Sequence, residues 1–130
     1  MVRAASIDLG SNSTRLLIAD ITNGTLTTIY KEHQVTRMAD KLSETKIISK
    51  EATKRVLKVL AGYFKTINKN NIENIQIVGT AALRDAKNSQ EIIQLIERKF
   101  GFEVDIVSGE EEGVLTSLGV LNSLGSLENF

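Results

Sequence analysis

Asp8-Leu9-Gly10-Ser11-Asn12-Ser13-Thr14 lies between two apolar runs, Ala4 to Ile7 before it and Leu16 to Ile21 after it. Two such runs joined by a small polar segment predict a strand, a turn and a second strand. The turn holds a carboxylate, a glycine and small polar side chains, with nothing bulky after Leu9. It lets a phosphate approach the backbone and take hydrogen bonds from its N–H groups. Asp8, at the end of the leading strand, is placed to hold a metal ion or an attacking water against that phosphate. An ordinary hairpin, in which Asp and Asn serve the turn itself, accounts for the same string. The string by itself leaves both readings open.

Downstream, Thr22-Asn23-Gly24-Thr25 carries the strongest short-range hairpin signal, Asn-Gly, and Leu26 to Val35 is the partner strand. Two successive hairpins predict an antiparallel meander. Met38 to Ile48 is polar and irregular, a loop with a short turn of helix. An amphipathic helix is expected from about Lys50 to Asn68, with Ser49 as N-cap. Ala52, Val56, Leu57, Leu60, Tyr63, Phe64 and Ile67 form its apolar stripe. Ile75 to Val78 reads as a strand, followed by a loop over Thr80 to Asn88. Asn88-Ser89-Gln90-Glu91 has the capping-box pattern of a second helix, which turns Ile92, Ile93, Ile96 and Phe100 inward and stops at Gly101. Phe102 to Val107 is a further strand, and Ser108-Gly109-Glu110-Glu111 opens a third helix bearing Val114, Leu115, Leu118 and Leu121. The order β-β-β-α-β-α-β-α predicts an α/β domain with a mixed five-stranded sheet covered by helices. That domain is expected over 1–122, with 123–130 as the start of a linker.

The chain of 130 residues suffices for one domain with a sizeable core. Sixteen basic and sixteen acidic residues cancel, which gives no support to a general nucleic-acid or membrane-surface binder. There is no cysteine, so disulfides, thiolate metal sites and a cysteine nucleophile are excluded. A lone His33 makes a multi-histidine metal site or a Ser-His-Asp triad implausible, and its alternating segment marks it as a surface strand residue. Neither a signal peptide nor a membrane helix is legible, so a cytoplasmic location is expected. Catalysis must therefore draw on carboxylates, backbone amides, hydroxyls, Arg or Lys.

Three loops at strand ends hold such groups: Asp8 to Thr14, Thr80 to Asn88 and Ser108 to Glu112. The second and third follow the carboxyl ends of parallel strands, the edge where α/β sheets bind ligands. Arg84 suits bidentate phosphate binding, assisted by Lys87 and Asn88. An exposed arginine paired with Asp85 or Glu91 fits the same position. A capping box with Ser108 and the helix dipole account for Glu111 and Glu110. Glu112 falls one position further, on a different face, and remains a candidate for the chemistry.

Taken together, the three loops resemble the exopolyphosphatase/guanosine pentaphosphate phosphohydrolase family, within the superfamily of actin, sugar kinases and chaperone ATPases. The matching strings are Asp8-Leu9-Gly10-Ser11-Asn12-Ser13 with Arg15-Leu16-Leu17-Ile18-Ala19, Gly79-Thr80-Ala81-Ala82-Leu83-Arg84 with Ala86 and Asn88, and Ser108-Gly109 with Glu111-Glu112. Gly113 stands where that family often has alanine. The resemblance implies a ribonuclease H-like fold and release of terminal orthophosphate from polyphosphate or guanosine pentaphosphate. It implies that Asp8 organises magnesium or the water, and that Gly10, Ser11, Asn12, Ser13 and Arg15 cradle phosphate. Arg84 would clamp the phosphate chain, with Thr80 and Asn88 supporting its loop, and Glu112 would deprotonate water, Glu111 standing second to it. A second phosphate loop of Asp-x-Gly-Gly-Gly-Ser type is absent before Phe130, so the chain is expected to be an N-terminal half that lacks its C-terminal domain and turns over poorly alone. A homodimer is a further expectation, whereas nucleic acid and membrane are not expected partners. An ATP-dependent kinase of the same superfamily, or a non-catalytic nucleotide- or polyphosphate-binding module, is the alternative.

Overall fold

Strands β1 (Val2–Leu9), β2 (Ser13–Thr22) and β3 (Thr25–Val35) form the expected meander. Asn23 and Gly24 both adopt positive φ, 51° and 79°, the left-handed pair that a tight two-residue hairpin turn requires. The computed structural model describes residues 1–107; the expected third helix, with Glu110, Glu111 and Glu112, and the 123–130 segment lie outside the described residues. After the meander come α1 (Leu42–Thr45), α2 (Lys50–Lys69), β4 (Asn74–Gly79), α3 (Ala81–Asp85), α4 (Ser89–Phe100) and β5 (Val104–Ile106). The five strands lie in the order β3-β2-β1-β4-β5. β1 is thus central, antiparallel to β2 and parallel to β4, which is parallel to β5.

Side-chain alternation on β1 divides the sheet into two faces. Ala5, Ile7 and Leu9 join the main core with Leu16 and Ile18 of β2, against the buried stripe Ala52, Val56, Leu60, Tyr63, Phe64 and Ile67 of α2. Ser49 accepts a hydrogen bond from Ala52 N at 3.0 Å and caps α2 as the sequence indicates. The Phe64 ring stacks on Phe100 and Phe102, with centroids 4.8 and 5.4 Å away, joining α2 to α4 and the approach to β5. On the opposite face, Ala4, Ala19 and Ile21 are buried in a smaller cluster. No helix among the described residues is long and apolar enough to cross a membrane.

Two local expectations are corrected. The segment read as a loop over Thr80 to Asn88 contains α3, because Ala81, Ala82 and Leu83 favour helix and a helical turn buries Ala82 and Leu83 in the core. Asn88 precedes α4 without a side-chain capping bond. Its carboxamide instead accepts from Ile48 N at 2.8 Å and donates to Ile48 O at 2.9 Å. Ile48 is buried, so its backbone polar groups need partners inside the protein, and Asn88 supplies both.

Arg3 and Asp20 face each other across β1 and β2 and form a bidentate pair, with contacts of 2.7 and 2.9 Å. The hydrogen bond from Arg3 is the main cause holding the Asp20 carboxyl below its usual range. A depressed carboxyl pKa contributes stability that is present above the ordinary aspartate range and is lost as pH falls through the folded value. Thermal melts of wild type and Arg3→Gln should therefore differ most near neutrality and converge below about pH 3. A difference that grows with acid would contradict this assignment.

Candidate active site

The register lines three strand ends up at one sheet edge, since Leu9 of β1 faces Gly79 of β4 and Gly79 faces Ile106 of β5. The ladders continue one step past the strands: Thr80 N donates to Leu9 O at 3.2 Å and Val107 N to Gly79 O at 2.9 Å. The turn after β1, the Thr80 segment and the exit of the chain at Val107 thus adjoin one another.

The turn between β1 and β2 is built by its carbonyls. Gly10 N donates to Ser13 O at 3.0 Å, closing the turn. A Cβ at Gly10 would sit 2.9 Å from that same Ser13 oxygen, a backbone atom that cannot move aside, so glycine is required by the close approach. Ser11 O accepts from Ala39 N, and Asn12 O accepts from both Thr36 N and Arg37 N, each at 3.0 Å. The carbonyls of Ser11 and Asn12 therefore face the segment 36–39. In a planar trans peptide the N–H points opposite the C=O, so the N–H groups of Asn12 and Ser13 are turned away from that segment. A turn with its lone pairs committed to the protein and its amide dipoles directed outward favours an anion.

Beside this turn, the sheet face opposite the α2 core opens into a cleft of about 510 Å³, lined by Ser6, Asp8, Ser13, Arg15, Lys31 and His33 among others. Cross-strand register arranges these side chains in rows. Asp8 pairs with Arg15 and Arg15 with His33; one step along, Ser6 pairs with Leu17 and Leu17 with Lys31. Asp8 therefore stands at the acidic end of a row whose other members are basic. Ser6 is 3% exposed, and its hydroxyl has no hydrogen-bond partner among the described residues.

Of the residues the sequence singles out, Asp8, Ser13 and Arg15 line the cleft, and Gly10, Ser11 and Asn12 form the turn at its end. Thr80 is fully buried, and its hydroxyl approaches Leu9 O at 3.4 Å, so it ties α3 to the end of β1. Arg84, in the last turn of α3, contacts Asp85 Oδ1 through Nε at 3.2 Å and donates from Nη1 to Val107 O at 3.3 Å. It stands at the shared edge rather than among the cleft-lining residues. Asn88 lies further off, engaged with Ile48. Glu111 and Glu112 are outside the described residues. Ser6, Lys31, Glu32 and His33 also line the cleft though the sequence did not mark them as site residues, His33 reading only as a surface strand residue, because an exposed alternating strand looks the same whether or not its outer face borders a site. Among the described residues no cluster of three or more His, Cys, Asp or Glu side chains is arranged to hold a metal.

The profile of the Ppx/GppA phosphatase family matches residues 17–130 of this chain. A guanosine-5'-triphosphate,3'-diphosphate pyrophosphatase of Vibrio cholerae is 37% identical over 123 residues, covering 95% of this chain and 25% of that protein. The crystal structure of the Aquifex aeolicus Ppx/GppA family member superposes with a TM-score of 0.80 at 35% identity, over 85% of this chain and 36% of that one. An exopolyphosphatase from Cytophaga hutchinsonii gives 0.78 at 27% identity, over 82% of this chain and 34% of its own. The chain thus spans between about a fifth and somewhat over a third of the length of the relatives it matches. By fold, strand-end loops and sequence, it belongs to the Ppx/GppA phosphatase family.

Proposed function

We propose that these residues form one side of a phosphoanhydride hydrolase site that releases terminal orthophosphate from inorganic polyphosphate or guanosine pentaphosphate. The observation that carries this reading is the turn at Gly10–Ser13, whose Ser11, Asn12 and Ser13 carbonyls are bonded within the protein beside a carboxylate at a strand end. The names of the Vibrio and Cytophaga relatives supply the two substrate types, which share the same terminal anhydride.

In this reading the N–H groups of Asn12 and Ser13 and the hydroxyls of Ser11 and Ser13 bind the oxygens of the terminal phosphate. Arg15 extends the positive field across the cleft, and Arg84 neutralises the phosphate chain from the neighbouring edge. Phosphoryl transfer depends on positioning and charge neutralisation more than on covalent catalysis, and these groups provide both. Glu112 takes the proton from the attacking water as the bridging P–O bond breaks and orthophosphate separates from the shortened chain. Val107 lies at the sheet edge shared with the turn, and Glu112 follows it by five residues in the sequence.

A divalent cation fits the donor chemistry of the cleft. Asp8 offers hard carboxylate oxygens, and the buried Ser6 hydroxyl lines the same space. Magnesium binds through one or two carboxylates with waters and substrate phosphate completing its shell, and Asp8 would hold it here. When bound, the ion supplies charge neutralisation at the phosphate oxygens.

In the full-length protein, Glu112→Gln should lower kcat by about 100-fold or more while leaving substrate affinity close to wild type, as expected on losing a general base. Phosphate release from polyphosphate measures the first effect and equilibrium binding the second; an unchanged kcat would remove Glu112 from the mechanism. Gly10→Ala should weaken substrate binding by about tenfold or more, because its Cβ forces the turn open against Ser13 O. Full affinity in a folded Gly10→Ala protein would show that the turn does not hold phosphate.

A further inference from the structure

The turn is closed by its own Gly10–Ser13 hydrogen bond, but the carbonyls of Ser11 and Asn12 are held from outside, and those supports lead to α2. Thr36 N and Arg37 N converge on Asn12 O, and Arg37 O itself accepts from Asp40 N at 3.0 Å, a local turn that is reinforced from outside the segment. Arg37 has φ 50°, a left-handed conformation that an L-residue with a long side chain adopts only under constraint. The constraint comes from the half-buried Arg55 of α2. Its Nε donates to Thr36 O at 2.7 Å and its Nη2 to Arg37 O at 3.2 Å. One planar guanidinium thus grips two successive carbonyls, on the same two residues whose N–H groups hold the turn.

A second tie runs parallel to the first. Tyr63, also on α2 and 2% exposed, donates its hydroxyl to Thr14 O at 2.6 Å. Thr14 and Thr36, both fully buried, are joined hydroxyl to hydroxyl at 2.9 Å. Burial is the main cause raising the Tyr63 phenol well above its usual range, so it stays protonated and remains a donor. Tyr63 therefore anchors the residue that follows the turn, while Arg55 anchors the segment that faces it.

We infer that Arg55 is a positioning residue for the phosphate-binding turn: its bond to Thr36 O fixes the Thr36–Arg37 peptide plane and with it the Arg37 N–H that donates to Asn12 O, its bond to Arg37 O steadies the next plane, and the turn's N–H groups are so kept directed outward. Its guanidinium is spent on two carbonyls of the protein and takes no part in the cleft. The fixed fork of arginine suits this double grip, which the single ammonium of lysine reproduces only in part. The inference rests on the proposed phosphate-binding role of the turn for its ligand, but the placement of the turn can be read without any ligand.

The test uses the full-length protein, its Arg55→Gln variant and its Arg55→Lys variant, with two readouts at a temperature where all are folded. Amide hydrogen exchange at Thr36, Arg37 and Ala39 is compared with exchange along the β1–β2 ladder, and the Kd for inorganic tripolyphosphate is measured by calorimetry. Arg55→Gln should speed exchange at Thr36 and Arg37 by tenfold or so while the ladder is unchanged, and weaken tripolyphosphate by about tenfold. Arg55→Lys should fall between Gln and wild type in both. Exchange that rises uniformly over the protein, or that does not change at residues 36–39, overturns the inference and leaves Arg55 as an ordinary packing residue. So does a local rise with wild-type affinity for tripolyphosphate. Should the wild type itself bind no tripolyphosphate, the proposed function fails, and the exchange arm alone decides whether Arg55 sets the turn.

Discussion

The double hydrogen bond that Thr36 N and Arg37 N make to the carbonyl of Asn12 is the constraint on which the site depends. A polar hairpin turn in water adopts many conformations, and most of them present carbonyl oxygens to an approaching anion. Here the Asn12 oxygen is committed to two donors and the Ser11 oxygen to a third, so an anion meets amide hydrogens. The cost is a left-handed arginine at position 37, of the order of 1–2 kcal/mol, which the grip of Arg55 offsets. Conformational strain beside a site, held by surrounding contacts, is a recurring form of preorganisation.

Around that turn the fold places charge by register. β1 lies in the middle of the sheet, with its apolar residues on the α2 side and Asp8 on the other. Antiparallel pairing carries the same face outward from Asp8 through Arg15 to His33, and the outer cleft wall is lined by Lys31 and His33 together with Glu32. The parallel pairings to β4 and β5 bring Thr80 and Val107 to the same edge, and Arg84 bridges from α3 to Val107. In the proposed function, a phosphate chain with one end at the turn would meet cationic groups both across the cleft and along the edge.

Features whose causes are local in the chain were legible in the sequence. Asn23-Gly24 forms the left-handed turn it announces, Ser49 caps α2, and the apolar stripe of α2 is the core stripe. The ends of the first four strands were legible to within about two residues, which narrows the turn expected over Asp8 to Thr14 to Gly10–Asn12, whereas the strand expected over Phe102 to Val107 is only Val104–Ile106. What could not be read depends on contacts distant in sequence. The support of the turn by residues 36–39 uses backbone amides, which carry no residue signature. Arg55 looks like any cation on an amphipathic helix until its two carbonyl partners are seen. Lys31 and His33 come into the cleft only once the β2–β3 register is known, and that register shifts at an irregularity between Ile18 and Ala19. Asn88 has the sequence of a cap, but the buried backbone of Ile48 competes for its carboxamide and wins.

The most direct measurement is a titration of inorganic tripolyphosphate into the isotopically labelled protein, followed through the backbone amide resonances. An outward-facing turn predicts saturable changes that are largest at the Asn12 and Ser13 amides, with smaller ones at Asp8 and Arg15. Saturable binding that leaves Asn12 and Ser13 unmoved would contradict it.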